Sequence, residues 1–137
     1  MPDDPIRVAD TRAWLIKARK DLRSAEHGLS ALPPLLDDVL FHCQQACEKA
    51  LKGFLAWHDV PFRKTHSLEE IGEQCLAREP ALKGVLEQAI PLTEYAWKFR
   101  YPGDVDEPTK EEAVTALRLT QQLHQNILSR LPLEAHP

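Results

Sequence analysis

Apolar positions in this chain recur at helical rather than strand spacing, most densely from Phe41 to Trp57, FHCQQACEKALKGFLAW. At 100° per residue, Val39, Leu40, Cys43, Ala46, Cys47, Ala50, Leu51, Phe54, Leu55 and Trp57 cover more than half the helix circumference. A helix that apolar must be surrounded by others. His42, Gln45, Lys49 and Lys52, at steps of three, four and three, leave a narrow polar stripe along one remaining edge, and Gln44 and Glu48 fall on the opposite flank.

The flanking segments read the same way. Asp10 serves as N-cap for a first helix over about 11–31, whose Trp14, Leu15, Ala18, Leu22, Ala25 and Leu29 share an arc of roughly 100°. Arg12, Lys17, Arg19, Lys20 and Arg23 are placed on its outer face, partly balanced by Asp21 and Glu26, and residues 1–9 read as a loose lead-in. Pro33 and Pro34 break the chain, Asp37 or Asp38 caps the second helix to about His58, and so short a link makes an antiparallel hairpin. Ser67 with Glu70 forms a capping box for a short third helix ending near Ala77. Pro80 opens a fourth, Pro91 interrupts it, and LTEYAWKFR resumes it with a concentration of aromatic residues. The loop RYPGDVDEP leads to a second capping box, Thr109 with Glu112, and a fifth helix over about 110–131, followed by a tail. The expected fold is all-α, an up-and-down bundle of four to five helices forming one domain with its core over about 11–131.

Composition changes this picture little. A chain of 137 residues, 43% apolar and 28% charged, is sufficient for one core without disulfides or metal. No apolar run approaches the 18 or so residues of a membrane span, and the acidic MPDDPIRVAD lacks the features of a secretory signal, so a cytoplasmic protein is expected. Three cysteines, with Cys43 and Cys47 inside the core pattern, suit reduced buried thiols. A net charge of −4 argues against binding duplex nucleic acid by bulk electrostatics, while leaving local basic patches open.

The polar stripe is the main candidate for chemistry. Read functionally, His42, Gln45, Lys49 and Lys52 line a cleft for an anionic ligand, joined from loops by Lys64, His66 and Arg100; read structurally, they are an amphipathic edge whose lysines reach water along their stems. Metal is not expected, because no paired Cys/His spacing supplies four ligands and Cys43 and Cys47 point away from His42. No Gly-x-Ser-x-Gly and no glycine-rich phosphate loop occurs, and no cofactor is implied.

With HCQQACEKALKGFL on the second helix, KTHSL at 64–68, RYPGD at 100–104 and DLRSAEHGL on the first helix, the chain resembles the HEPN family, the higher eukaryote and prokaryote nucleotide-binding domains, over about 11–131. The resemblance implies a helical-bundle homodimer with one of two functions. Many members are metal-independent endoribonucleases, often toxins neutralised by a small nucleotidyltransferase partner, and use an arginine followed four to six residues later by a histidine. Others lack that pair and bind nucleotides or partners. Arg100 stands at the matching place here, but Val105, Asp106 and Glu107 occupy the histidine positions. Arg118 with His124 and Arg130 with His136 match literally elsewhere; the first pair is separated by about 120° around its helix.

The resulting expectation is a non-catalytic domain binding a nucleotide or RNA phosphate through Lys49, Lys52, Lys64, His66, Arg100 and Tyr101, with a nucleotidyltransferase as the partner the resemblance implies. Cations would meet phosphate and Tyr101 would stack on a base. The alternatives are a toxin-type ribonuclease using Arg100 with His66 or His124, and a pure interaction module presenting the aromatic residues of 95–101.

Overall fold

The computed structural model describes residues 3–103 and 106–137. Among these are five α-helices and no strand: α1 (Pro5–Ser30), α2 (Leu36–Trp57), α3 (Leu68–Leu76), α4 (Lys83–Ala89) and α5 (Lys110–Leu128). Three 3₁₀ turns, Pro80–Leu82, Ile90–Ala96 and Leu133–Ala135, complete the all-α bundle.

Helices α1 and α2 form the expected antiparallel hairpin. At one end the Arg7 guanidinium sits 4.5 Å from the Trp57 ring centroid; at the other, Leu35 N donates to Gly28 O at 2.9 Å. Gly28 permits that approach, since a Cβ there would lie 3.0 Å from a Val39 methyl. Helix α2 is the innermost element, packed by α1, α3, α5 and the 90–96 turn, and its apolar arc is almost wholly buried. Each Leu or Phe enclosed this way contributes about 1.5–3 kcal/mol, which is why the amphipathic pattern dominates the fold.

Several local expectations are corrected. Helix α1 begins at Pro5, not at 11: Asp4 is the cap, its carboxylate accepting from Ile6 N at 2.9 Å, and Pro5 suits a first-turn position that needs no amide proton. Asp37 and Asp38 lie inside the first turn of α2 and do not cap it; Leu35 occupies the N-cap without a side-chain bond. The capping boxes of α3 and α5 form in half, Ser67 Oγ accepting from Glu70 N and Thr109 Oγ1 from Glu112 N. The reciprocal partners are elsewhere: Ser67 N donates to Thr65 Oγ1, and the Glu112 carboxylate accepts from the Tyr95 hydroxyl at 2.7 Å. Pro91 ends α4, as expected, but the chain continues from Ile90 to Ala96 as 3₁₀ rather than as a resumed α-helix. Helix α5 stops at Leu128, three residues early, and the tail packs down, burying Leu131 and Ala135.

Candidate functional site

The polar edge of α2 is built around two carboxylates. Asp21, expected on the outer face of α1, is instead buried against α2, where Oδ1 lies 2.8 Å from His42 Nδ1 and Oδ2 2.6 Å from Lys49 Nζ. Glu48 is more enclosed, its side chain 6% exposed. Its Oε2 accepts from Lys52 Nζ at 3.0 Å, and its Oε1 meets Gln44 Nε2 at 3.2 Å and His66 Nδ1 at 2.8 Å. Gln44 also donates to the His66 carbonyl at 3.0 Å and accepts from Gln45 Nε2 at 2.7 Å. Gln44 and Glu48 therefore continue the stripe rather than standing apart from it. Burial pushes the Glu48 carboxyl up, but the hydrogen bonds from His66, Lys52 and Gln44 outweigh it and hold the group below its ordinary range.

These bonds set what each side chain can do. An ionised carboxylate only accepts, so His42 and His66 each donate from Nδ1, and the neutral form of either ring leaves Nε2 as an acceptor. Lys49 and Lys52 are committed to carboxylates. Lys52 is held further between aromatic faces, its ammonium 5.6 Å from the Trp14 centroid and 5.4 Å from that of Phe62.

Arg100 reaches the same edge one turn nearer the start of α2. Its guanidinium carbon lies 4.2 Å from the Phe41 centroid and 5.9 Å from that of exposed Tyr101, and Nη1 donates to Ala96 O at 3.5 Å. Phe41 and Gln44 are three residues apart on α2, about 4.5 Å along its axis. The arginine over the first and the histidine bonded to the second thus occupy neighbouring turns. Arg100, Phe41, His42, Phe99, Asp37 and Asp38 line a cleft of about 270 Å³. Phe99 has φ of 67°, a left-handed conformation that costs a residue with a Cβ about 1–3 kcal/mol. Its ring stacks on Tyr95 at 6.2 Å between centroids. Of the two aspartates that follow Arg100 in the chain, Asp104 lies outside the described residues, and Asp106 makes no ion pair among the described residues.

The remaining candidates sit apart. Lys64 is exposed in the loop before α3 and makes no ion pair among the described residues. His124 is buried on α5, with Nδ1 unpartnered; burial first, then the charges of Arg19 and His136, lowers its pKa. Arg118 faces solvent on that helix, while Arg130 bonds Asn126 and His136 bonds the carbonyls of Leu128 and Leu131. Tyr95, counted among the exposed aromatics, is buried; Trp97 and Tyr101 are the exposed members of that group. The three cysteines are buried, and loss of hydration pushes each thiol up to about 12.

Two residues that organise the edge, Asp21 and Glu48, were not among the site candidates. Asp21 carried a signal: three residues after Ala18 and four before Ala25, it falls on the buried stripe of α1.

A family model described as HEPN domain matches residues 11–130 of the 137. No curated protein and no solved structure matches the chain.

Proposed function

The chain belongs to the HEPN domain family, and on that premise we propose that it binds a nucleotide or an RNA phosphate in the cleft between Arg100 and the first turns of α2, without the arginine–histidine pair of the family's ribonucleases. The observation that carries this reading is the guanidinium of Arg100, stacked on Phe41 within a cleft whose other lining groups suit the rest of a nucleotide. The guanidinium offers a planar fork to phosphate oxygens. Phe41, Phe99 and the exposed Tyr101 offer rings to a base, and His42 Nε2, Asp37 and Asp38 offer acceptors to sugar hydroxyls or base amino groups. Such a mixture disfavours bare phosphate, which the two aspartates repel. It favours a ligand that carries its own donors.

Lys49 and Lys52 enter this reading as supports, since each already neutralises a buried carboxylate; Lys64 and His66, which do not line the cleft, are assigned to a longer strand only. A homodimer and a nucleotidyltransferase partner remain part of the proposal on family grounds alone.

Calorimetric titration with ATP, GTP and a short single-stranded RNA tests it. Arg100→Ala is expected to weaken binding about 10- to 100-fold, the 1.5–3 kcal/mol of a charge-assisted phosphate contact. The pair Asp37→Asn and Asp38→Asn is expected to admit inorganic phosphate, which the native aspartates repel, and so to lose the preference for a ligand that carries its own donors. Absence of binding by all three ligands at millimolar concentration would leave the interaction-module reading.

A further inference from the structure

We propose that the outer face of α1 is a docking surface for an anionic lipid bilayer, its cations meeting headgroup phosphates and its exposed aliphatic side chains entering the acyl boundary. The inference is independent of the Arg100 cleft, which no residue of α1 lines. No described helix is long and apolar enough to cross a membrane, so α1 lies along the surface in this reading.

The positive charge on this face is uncompensated. Arg12, Lys17, Arg19, Lys20 and Arg23 are all exposed and span about 16 Å of the helix axis. The one acid within that run, Asp21, is buried against α2 and neutralised there by Lys49. None of the five cations makes an ion pair among the described residues; Arg19 Nη1 donates to Pro137 O at 3.4 Å. The exposed carboxylates of α1 stand beyond the run, Asp10 before it and Glu26 after it. A local excess of cations therefore persists on a chain of net charge −4, and a negative leaflet attracts such a run at short range.

The apolar side chains beside these cations favour lipid over nucleic acid. Ile6 is 80% exposed, Leu133 84% and Ile16 39%. At 100° per residue Ile16 falls inside the arc of Arg12, Arg19, Lys20 and Arg23, and Leu133 belongs to the 3₁₀ turn packed on α1. A cavity of about 430 Å³ opens on the same side, walled by Val8, Ala9, Ala13 and Ile16 and edged by Arg12, Asp3 and Glu134. A single strand of nucleic acid is held by cations together with rings that stack on its bases. Helix α1 has no Phe or Tyr, and its one indole, Trp14, is half-buried against Phe62. A bilayer interface uses both kinds of side chain present here: aliphatic groups enter the acyl boundary, and Lys and Arg extend from it to the phosphates.

The test is co-sedimentation of the full chain with vesicles of phosphatidylglycerol and phosphatidylcholine in equal parts, and with vesicles of phosphatidylcholine alone. Binding is expected to the anionic vesicles at about 0.1 M salt and to be lost at about 1 M, where the charges are screened beyond about 3 Å. Each cation near an anionic leaflet strengthens binding about fivefold, so Lys20→Gln with Arg23→Gln should weaken it about 10- to 30-fold. Ile6→Asn with Leu133→Asn should weaken it about 10-fold or more, since two aliphatic groups no longer leave water. All four side chains are exposed, so the urea midpoints of both variants should match that of the wild type. Absence of binding to anionic vesicles, or equal binding to the neutral ones, overturns the inference. So does a cation variant that binds as tightly as the wild type. An aliphatic variant that binds as tightly overturns it too, because the face then attracts any polyanion. Titration of the cation variant with a short single-stranded RNA completes the test: a loss equal to that on vesicles overturns the lipid assignment in favour of nucleic acid. None of these results bears on the Arg100 cleft, which Arg100→Ala tests separately.

Discussion

Replacing Glu48 by alanine should be among the most damaging single changes on the polar edge. The substitution removes the acceptor for Lys52, His66 and Gln44 together. His66 rehydrates in place, its side chain being 64% exposed, but Lys52 is only 12% exposed and is left as a cation between two aromatic rings. Stranding one partner of a buried ion pair costs about 3–5 kcal/mol, and since the lysine stem can swing partway to water the lower end applies, about 3 kcal/mol. For a domain whose urea dependence is about 1–3 kcal/mol per molar, the unfolding midpoint should fall by about 1–3 M. Adding Lys52→Met should recover more than half of the loss, because an apolar side chain in that place strands nothing. The pH dependence has a definite sign. The folded carboxyl is held below its ordinary value of 4.5, so Glu48 contributes fully above that pH and its contribution disappears as the pH falls through the folded value; Glu48→Ala should flatten this part of the profile. A midpoint shift below about 0.3 M, or a double variant no better than the single, would refute the reasoning.

Two other expectations come from burial. With all three thiols pushed up to about 12, none should react with a disulfide reagent at pH 8 in the native protein and all three should react in denaturant; rapid labelling of the native chain would contradict their placement. His124 has its pKa lowered below 6.5, so the unfolded chain takes up this proton first and stability falls as the pH drops from about 7 to 5. His124→Leu should remove that slope and gain about 1 kcal/mol at pH 5, relieving the unpartnered Nδ1; an unchanged melting profile would count against it.

The fold was legible wherever burial imposes a helical period. Helices α2 and α5 follow their apolar arcs to within a few residues because the core encloses most of α2 and one face of α5. The start of α1 escaped that reading: Ile6 is 80% exposed and marks no buried stripe, and the cap and proline at Asp4–Pro5 are the only local signal. The site was legible in half. The spacing of His42, Gln45, Lys49 and Lys52 identifies the edge, yet their hydrogen-bonding partners come from α1 and from the flank of α2, and a charged residue on a helix reads as solvated until a neighbouring helix encloses it. Asp21 shows this most plainly. Sequence spacing likewise could not distinguish Tyr95, turned inward to Glu112 by the 3₁₀ geometry, from Tyr101, which faces solvent.

Amide chemical-shift mapping by NMR during titration with a short single-stranded RNA tests the central claim most directly. Shifts concentrated at 37–52 and 96–103, and lost in Arg100→Ala, are the predicted result. Shifts gathered instead on the outer faces of α1 and α5, with residues 37–42 and Arg100 unmoved, would contradict the account.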